Sequence, residues 1–268
     1  MSEPTPGRRR AGDPGQPARA PRPGAGERDV AESGKHGANA RRKPAGGAPP
    51  GEALAAAWFG GRSDEVAPRL LNKVVATRRE DGWRWARIVE VEAYASHEPA
   101  SHSYGGRRAR NAVMYGPPGY VYVYFTYGMH WCANLVTSPP GSAQAVLLRA
   151  GEPLGGLEAM TRARGGHVPV RQLCRGPARL AQALGLTGED NGRRLIAGSR
   201  RPVGSVVVLD DGTPPPSAPG VGPRVGITKA VELLWRWWVP ASPWVSPFRP
   251  GRGGGNSSSS GAVGPDVV

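Results

Sequence analysis

Apolar and polar residues alternate with a period of two over several short stretches of this chain, a pattern that predicts strands. Lys73–Arg78 and Trp83–Tyr94 read as two strands around the turn residues Glu80-Asp81-Gly82. Tyr120–Thr126, His130–Thr137 and Ala143–Ala150 read as three more, the last two joined across Ser138-Pro139-Pro140-Gly141. Val206–Leu209, Arg224–Thr228 and Leu234–Val239 look like late strands. Spacings of three and four predict short helices at Ala53–Trp58, from the acidic start Ser63-Asp64-Glu65 through Leu71, at Leu154–Arg162 and at Gly176–Leu184. No repeat of solenoid or propeller length is visible. Consecutive strands followed by segregated helices predict an α+β class, a single domain with a curved, mostly antiparallel sheet flanked by helices.

Composition limits how much of the chain takes part. Of 268 residues, 40 are Gly and 29 are Pro, too many for an evenly folded domain. Residues 1–51 form a basic Gly/Pro/Ala-rich stretch with Val30 as its only branched aliphatic and no aromatic. Residues 249–268 are Gly/Ser-rich. Neither stretch carries enough apolar surface to offset the entropy of ordering it, so both are expected to be disordered tails around a domain at 52–248. The formal net charge of +14 points to a polyanionic partner. No apolar run reaches the ~18–20 residues of a membrane span, and no apolar segment follows Arg8-Arg9-Arg10 as a secretory signal requires. Cys132 and Cys174 cannot make a disulfide framework and read as core thiols. A cytoplasmic location without membrane contact is expected.

Two clusters stand out as candidate chemistry. In Ile88-Val89-Glu90-Val91-Glu92-Ala93-Tyr94, strict alternation places 88, 90, 92 and 94 on one face and Val89, Val91 and Ala93 on the other. Two carboxylates ~7 Å apart on one strand face are costly when buried. They fit either a solvated edge with an Arg counter-ion or a general base held on a rigid strand. All seven tyrosines fall between positions 94 and 127, and Tyr120, Tyr122 and Tyr124 share a strand face. They fit cross-strand packing or a stacking platform for a nucleobase. The five histidines have no metal-ligand spacing, so no metal is expected. Phosphate-binding Gly-rich loops and a GxSxG elbow are missing, so no cofactor is expected either. Lysine occurs only at Lys35, Lys43, Lys73 and Lys229, which disfavours Schiff-base chemistry.

A set of blocks, in order along roughly 55–248, then resembles the alkyladenine (3-methyladenine) DNA glycosylase family. They are Arg87–Tyr94; Ser101-His102-Ser103 with Gly105-Gly106-Arg107; Tyr122-Val123-Tyr124 with Tyr127-Gly128-Met129; and Trp131–Asn134. Val146–Ala150 with Glu152-Pro153, Cys174–Leu180, Gly222–Ile227 and Ser242–Ser246 complete the set.

The resemblance implies a monofunctional glycosylase that flips alkylated or deaminated purines from duplex DNA and hydrolyses the N-glycosidic bond, leaving an abasic site. It implies Glu92 as the general base, with Arg149 and Asn134 in the same pocket. Tyr94 and His102 match residues on one face of the flipped base, and Tyr124 the ring on the other. Tyr127 matches the residue that intercalates into the vacated stack, and Asn134 one that excludes the 2-amino group of guanine. Arg107, Arg110 and Arg224 are the candidates for DNA phosphates. Glu90, Tyr120 and Tyr122 are expected to be structural, and His97 a plain loop residue. The expected partner is double-stranded DNA containing damaged purines, bound by a monomer. A catalytically inactive damaged-DNA-binding protein is the alternative reading.

Overall fold

The computed structural model describes residues 47–126 and 128–251. Most of both expected tails, and Tyr127, lie outside the described residues. Within them, nine strands form one sheet: β1 (Glu52–Ala53), β2 (Val74–Arg79), β3 (Gly82–Tyr94), β4 (Val121–Thr126), β5 (His130–Thr137), β6 (Gln144–Gly155), β7 (Val206–Asp210), β8 (Gly220–Gly222) and β9 (Arg236–Trp238). The order is β1-β7-β2-β3-β6-β5-β4, with β9 bridging β3 and β8, and the strand pairs are antiparallel. Three α-helices accompany the sheet: α1 (Ser63–Leu70), α2 (Leu157–Ala163) and α3 (Pro177–Leu184). The α+β expectation holds.

β3 is the organising strand. One of its edges pairs with β6 from Trp85 to Tyr94. The other is shared, with β2 taking Gly82–Arg87 and β9 taking Glu90–Glu92. Register shifts with β6 occur between Ile88 and Glu90 and between Glu90 and Val91, so the strand bulges there. Such an irregularity exchanges the faces of a strand. Ile88 therefore joins Ala86, Val91 and Ala93 in the main core instead of sharing a face with Glu90, as strict alternation had it. Beyond the bulge the period of two resumes and puts Glu92 and Tyr94 together.

The core lies between the sheet and the helices, where α1 offers Val66, Ala67 and Leu70 and α3 offers Leu180, Ala181, Ala183 and Leu184. α3 starts on a proline and stops at Gly185, whose φ of 66° suits only a residue without Cβ strain. Three expected elements differ. Ala53–Trp58 is a two-residue strand followed by a 3-10 turn at Ala56–Phe59. Leu154 continues β6, which pairs with β3 as far as Gly155 opposite Trp85, and the helix starts at Leu157. Arg224–Thr228 is not a strand: after β8 the chain turns at Val225-Gly226, with Gly226 at φ 76°.

Candidate active site

The sheet itself forms one wall of a cavity of about 330 Å³. Tyr122, Asn134, Leu147 and Glu92 are aligned across β4, β5, β6 and β3 in one cross-strand row. Two residues along, Tyr124 faces Cys132, and Arg149 follows Leu147 on the same face of β6. Every one of these except Glu92 lines the cavity, as do Tyr94, His102, Pro177, Ala178 and Val225-Gly226-Ile227. Such a volume is at the small end of the usual range for ligand sites.

Glu92 is fully buried directly behind this lining, and its carboxylate is held by three cavity-wall residues. The Tyr94 hydroxyl donates to Oε2 at 2.8 Å, the Val225 amide donates to Oε1 at 2.6 Å, and Arg149 Nη1 lies 3.2 Å from Oε1. Arg149 is also tied to Glu90, donating from Nε at 3.0 Å. Burial works against the Arg149 cation, but Glu92 and Glu90 outweigh it and hold the guanidinium above its ordinary range. Burial also opposes the Glu90 carboxylate, which Arg149, Arg236 and Ser246 nonetheless keep below the usual carboxylate range. Arg236 Nε and the Ser246 hydroxyl donate to the same Glu90 oxygen, and the Ser246 amide to the other. Glu90 thus has the structural part expected for it, as partner of two arginines.

The aromatic wall is compact. Tyr122 stacks on Tyr124 at 5.7 Å, and His102 meets Tyr124 edge-on at 4.5 Å. Nδ1 of His102 is 3.1 Å from the Tyr122 hydroxyl, while its backbone carbonyl accepts from Asn111. Burial, helped by the charge of Arg110, pushes the His102 imidazole below its usual range, which favours the neutral ring. Burial raises the Tyr122 phenol to about 12 and moves Tyr94 and Tyr124 well up, so all three stay protonated donors. Asn134 donates to the carbonyl of Tyr122 at 3.1 Å, which fixes its amide plane. Burial pushes the thiols up to about 11 for Cys132 and about 12 for Cys174, leaving both un-ionised; Cys132 belongs to the cavity wall.

Glu92, Tyr94, His102, Tyr124, Asn134 and Arg149 are therefore brought together. Arg107, on the loop after His102, and Arg110, in the 3-10 turn Ala109–Tyr115 that follows, are exposed, and Arg110 borders the outer side of the tyrosine wall. Arg224 departs from expectation. It is 1% exposed and forked onto Glu98 at 2.7 and 2.9 Å, so it has no access to a phosphate. Its position in a short motif gave no hint of this, because Glu98 lies 126 residues away. The Val225 amide was not foreseen either, since a backbone donor leaves no mark in side-chain pattern. Arg175, Arg179 and Arg249 line a neighbouring cleft that shares Arg149, Pro177, Ala178 and Val225 with the cavity wall, and were not among the candidates. Among the described residues no group of His, Cys, Asp and Glu could hold a metal, and no helix is long and apolar enough to cross a membrane.

The methylpurine-DNA glycosylase family model matches residues 57–243, the whole of this architecture from the first 3-10 turn to the segment after β9. A protein from Burkholderia lata with the provisional name 3-methyladenine DNA glycosylase is 50% identical over 198 residues, covering 74% of this chain and 92% of its own. One from Rhodopseudomonas palustris with the same name is 48% identical over 197 residues, covering 71% and 87%. The match extends through β3, the tyrosine strands and the Val225 turn, and the chain belongs to the methylpurine-DNA glycosylase family of DNA-repair glycosylases.

Proposed function

We propose that this protein, acting as a cytoplasmic monomer, everts alkylated or deaminated purines from duplex DNA into the 330 Å³ cavity and hydrolyses their N-glycosidic bond with Glu92 as general base. The observation that carries the reading is the Glu92 carboxylate, held by Tyr94, Val225 and Arg149 behind an aromatic pocket. A carboxylate accepts about four hydrogen bonds. The Val225 amide donates to Oε1, which also faces the Arg149 guanidinium, and Tyr94 alone donates to Oε2, so the acceptor site left on Oε2 receives the proton of the attacking water.

In the reaction the water oxygen bonds to C1′ of the sugar, its proton passes to Glu92, and the C1′–N9 bond breaks with its electron pair leaving on the purine. The abasic sugar remains in the strand. The transition state has oxocarbenium character, which a nearby carboxylate stabilises. A purine alkylated at N3 or N7 already carries positive charge, so it leaves readily and is attracted to the electron-rich faces of Tyr94 and Tyr124. His102 and Tyr124 are in ring contact, too close for a third ring between them. A base held between these two therefore requires the His102 ring to swing aside, giving up its bond to the Tyr122 hydroxyl. Asn134, fixed by the Tyr122 carbonyl, fills the space a guanine 2-amino group would need. Tyr127, between Thr126 and Gly128, intercalates into the vacated stack and offsets part of the few kcal/mol of flipping. Arg107 and Arg110 contact phosphates, giving a sequence-independent, salt-sensitive affinity.

The test is to incubate the protein with dimethyl-sulfate-treated duplex and with duplexes bearing single deaminated purines, then to treat with alkali. Release of free modified purine, with strand scission only after alkali, is the expected result. No base release from any of these substrates would overturn the reading.

A further inference from the structure

Arg224 and Glu98 form a buried ion pair that is absent from the cavity lining yet touches nearly everything that holds Glu92. The Arg224 guanidinium forks onto both Glu98 oxygens and donates to the carbonyl of Ala93, the residue between Glu92 and Tyr94. It lies over the Tyr94 ring, 4.7 Å from the centroid. The next residue along the chain is Val225, whose amide donates to Glu92. Glu98 Oε2 in turn accepts from the Ala100 amide at 2.8 Å, on the loop that carries His102 into the wall. Three separate segments of the cavity wall, at 93–94, 98–102 and 224–227, are thus pinned to one bidentate contact.

Stability alone does not account for this arrangement. Two fully desolvated charges are often replaceable by apolar residues of similar volume with no loss of stability. Arg224 also leaves its Nε–H buried without a partner among the described residues. A bidentate arginine–carboxylate fork does, however, fix orientation in a way that apolar contacts do not. We infer that Glu98 and Arg224 are positioning residues for the general base: by setting the Tyr94 hydroxyl and the Val225 amide, they hold the Glu92 carboxylate at the angle the attacking water requires. The inference rests on the role proposed for Glu92. Arg149, the third partner of Glu92, is held separately by Glu90, so losing the Glu98 contact releases two of the three supports and leaves one.

Glu98→Gln keeps the shape of the side chain and removes its charge, while Glu98→Asp keeps the charge and shortens its reach. Each is compared with wild type by single-turnover release of methylpurine from dimethyl-sulfate-treated duplex at saturating protein, by affinity for the same duplex and by thermal unfolding. Glu98→Gln is expected to lower the single-turnover rate by about 10- to 100-fold, the scale of a small misplacement of a reacting group. Duplex affinity should stay within about 2-fold, and Glu98→Asp should recover part of the rate. The decisive arm adds Glu98→Gln to Glu92→Gln. If Glu98 acts through Glu92, the double variant is no slower than Glu92→Gln alone.

A Glu98→Gln rate within about 2-fold of wild type, or a loss that adds in full to that of Glu92→Gln, would overturn the inference. Should Glu98→Gln not fold, Glu98→Asp carries the same test, with an unchanged rate in the folded variant counting against the idea. Wild-type protein that releases no methylpurine, or Glu92→Gln turning over normally, would instead remove the proposed role of Glu92, and the two failures are distinguishable.

Discussion

The two halves of β3 use the same pairing of arginine and carboxylate to opposite ends. In the half that pairs with β2, the strand supplies the arginines. Arg84, itself buried, reaches the exposed Asp81 at 2.9 Å, and half-buried Arg87 reaches half-buried Asp211 at 2.7 Å. In the half that pairs with β9, the strand supplies the carboxylates. Glu90 and Glu92 are fully buried and receive Arg149 and Arg236 from the neighbouring strands. A surface pair can lose one member and leave the other to water. A buried pair cannot, because each charge depends on its partner for solvation. Only the second half therefore holds fully buried anions in a fixed place, and Glu92 lies directly behind the cavity wall.

The largest effect should come from Glu92→Gln. The amide has nearly the shape of the acid but is a poor proton acceptor, so base release is expected to fall by at least about 100-fold while binding of the lesion duplex survives. Turnover near the wild-type rate would show that the fully buried carboxylates of β3 are no more catalytic than the half that pairs with β2. Next is Glu90→Ala, which strands Arg149 and Arg236 together. Its cost, read by urea unfolding, should be about 3–5 kcal/mol, against about 2 kcal/mol for removing Asp211 from the other half, the scale set by its lowered carboxyl pKa. Equal losses would erase the distinction between the halves.

Asn134 extends the buried half sideways, since it shares the cross-strand row of Glu92 through Leu147. Replacing it with Ala opens space in the wall without touching the carboxylate. Release of unmodified guanine from plain duplex should rise about 10-fold or more, the usual worth of one missing group in a pocket, with little change for methylated adenine. Unchanged guanine release would mean that discrimination lies elsewhere in the row.

How much of this was legible in the chain depended on sequence distance and on which atoms act. The tyrosine strands and the Glu92–Tyr94 pairing follow from a period of two, and that period holds where both neighbours of the strand are regular. It fails at Ile88, because the bulge before Val91 falls where one edge of β3 passes from β2 to β9, two strands distant in sequence, and no local pattern encodes that. Arg224 was misread for a related reason. An arginine in a Gly/Pro-rich motif of a basic protein resembles a phosphate ligand until its partner is seen, and Glu98 comes to it from another segment. The Val225 amide has no residue signature at all. Strand order was hidden in the same way: β7 lies between β1 and β2, a neighbourhood fixed only when the late part of the chain returns to the early part.

The smallest effect sharpens the comparison from the solvent side. Hydrogen bonding from Arg87, opposed by partial burial and joined by Thr213, brings the Asp211 carboxyl from its usual 3.8 down to about 2. A folded-state value below the unfolded one contributes stability above the unfolded value and loses it as pH falls through the folded one. The difference in stability between wild type and Asp211→Asn should thus be flat from pH 7 to about 5, shrink below that, and vanish near pH 1. It should also shrink with added salt, because the pair is partly exposed and so partly screened. Urea unfolding at several pH values and two ionic strengths measures both trends. The same series on Glu90→Gln gives the contrast, since an interior carboxylate lies beyond the reach of screening ions and its contribution should hardly respond to salt. A strong salt response there would mean that water enters the Glu90 cluster, and the division of β3 into a solvated half and a dry half would fail at its dry end.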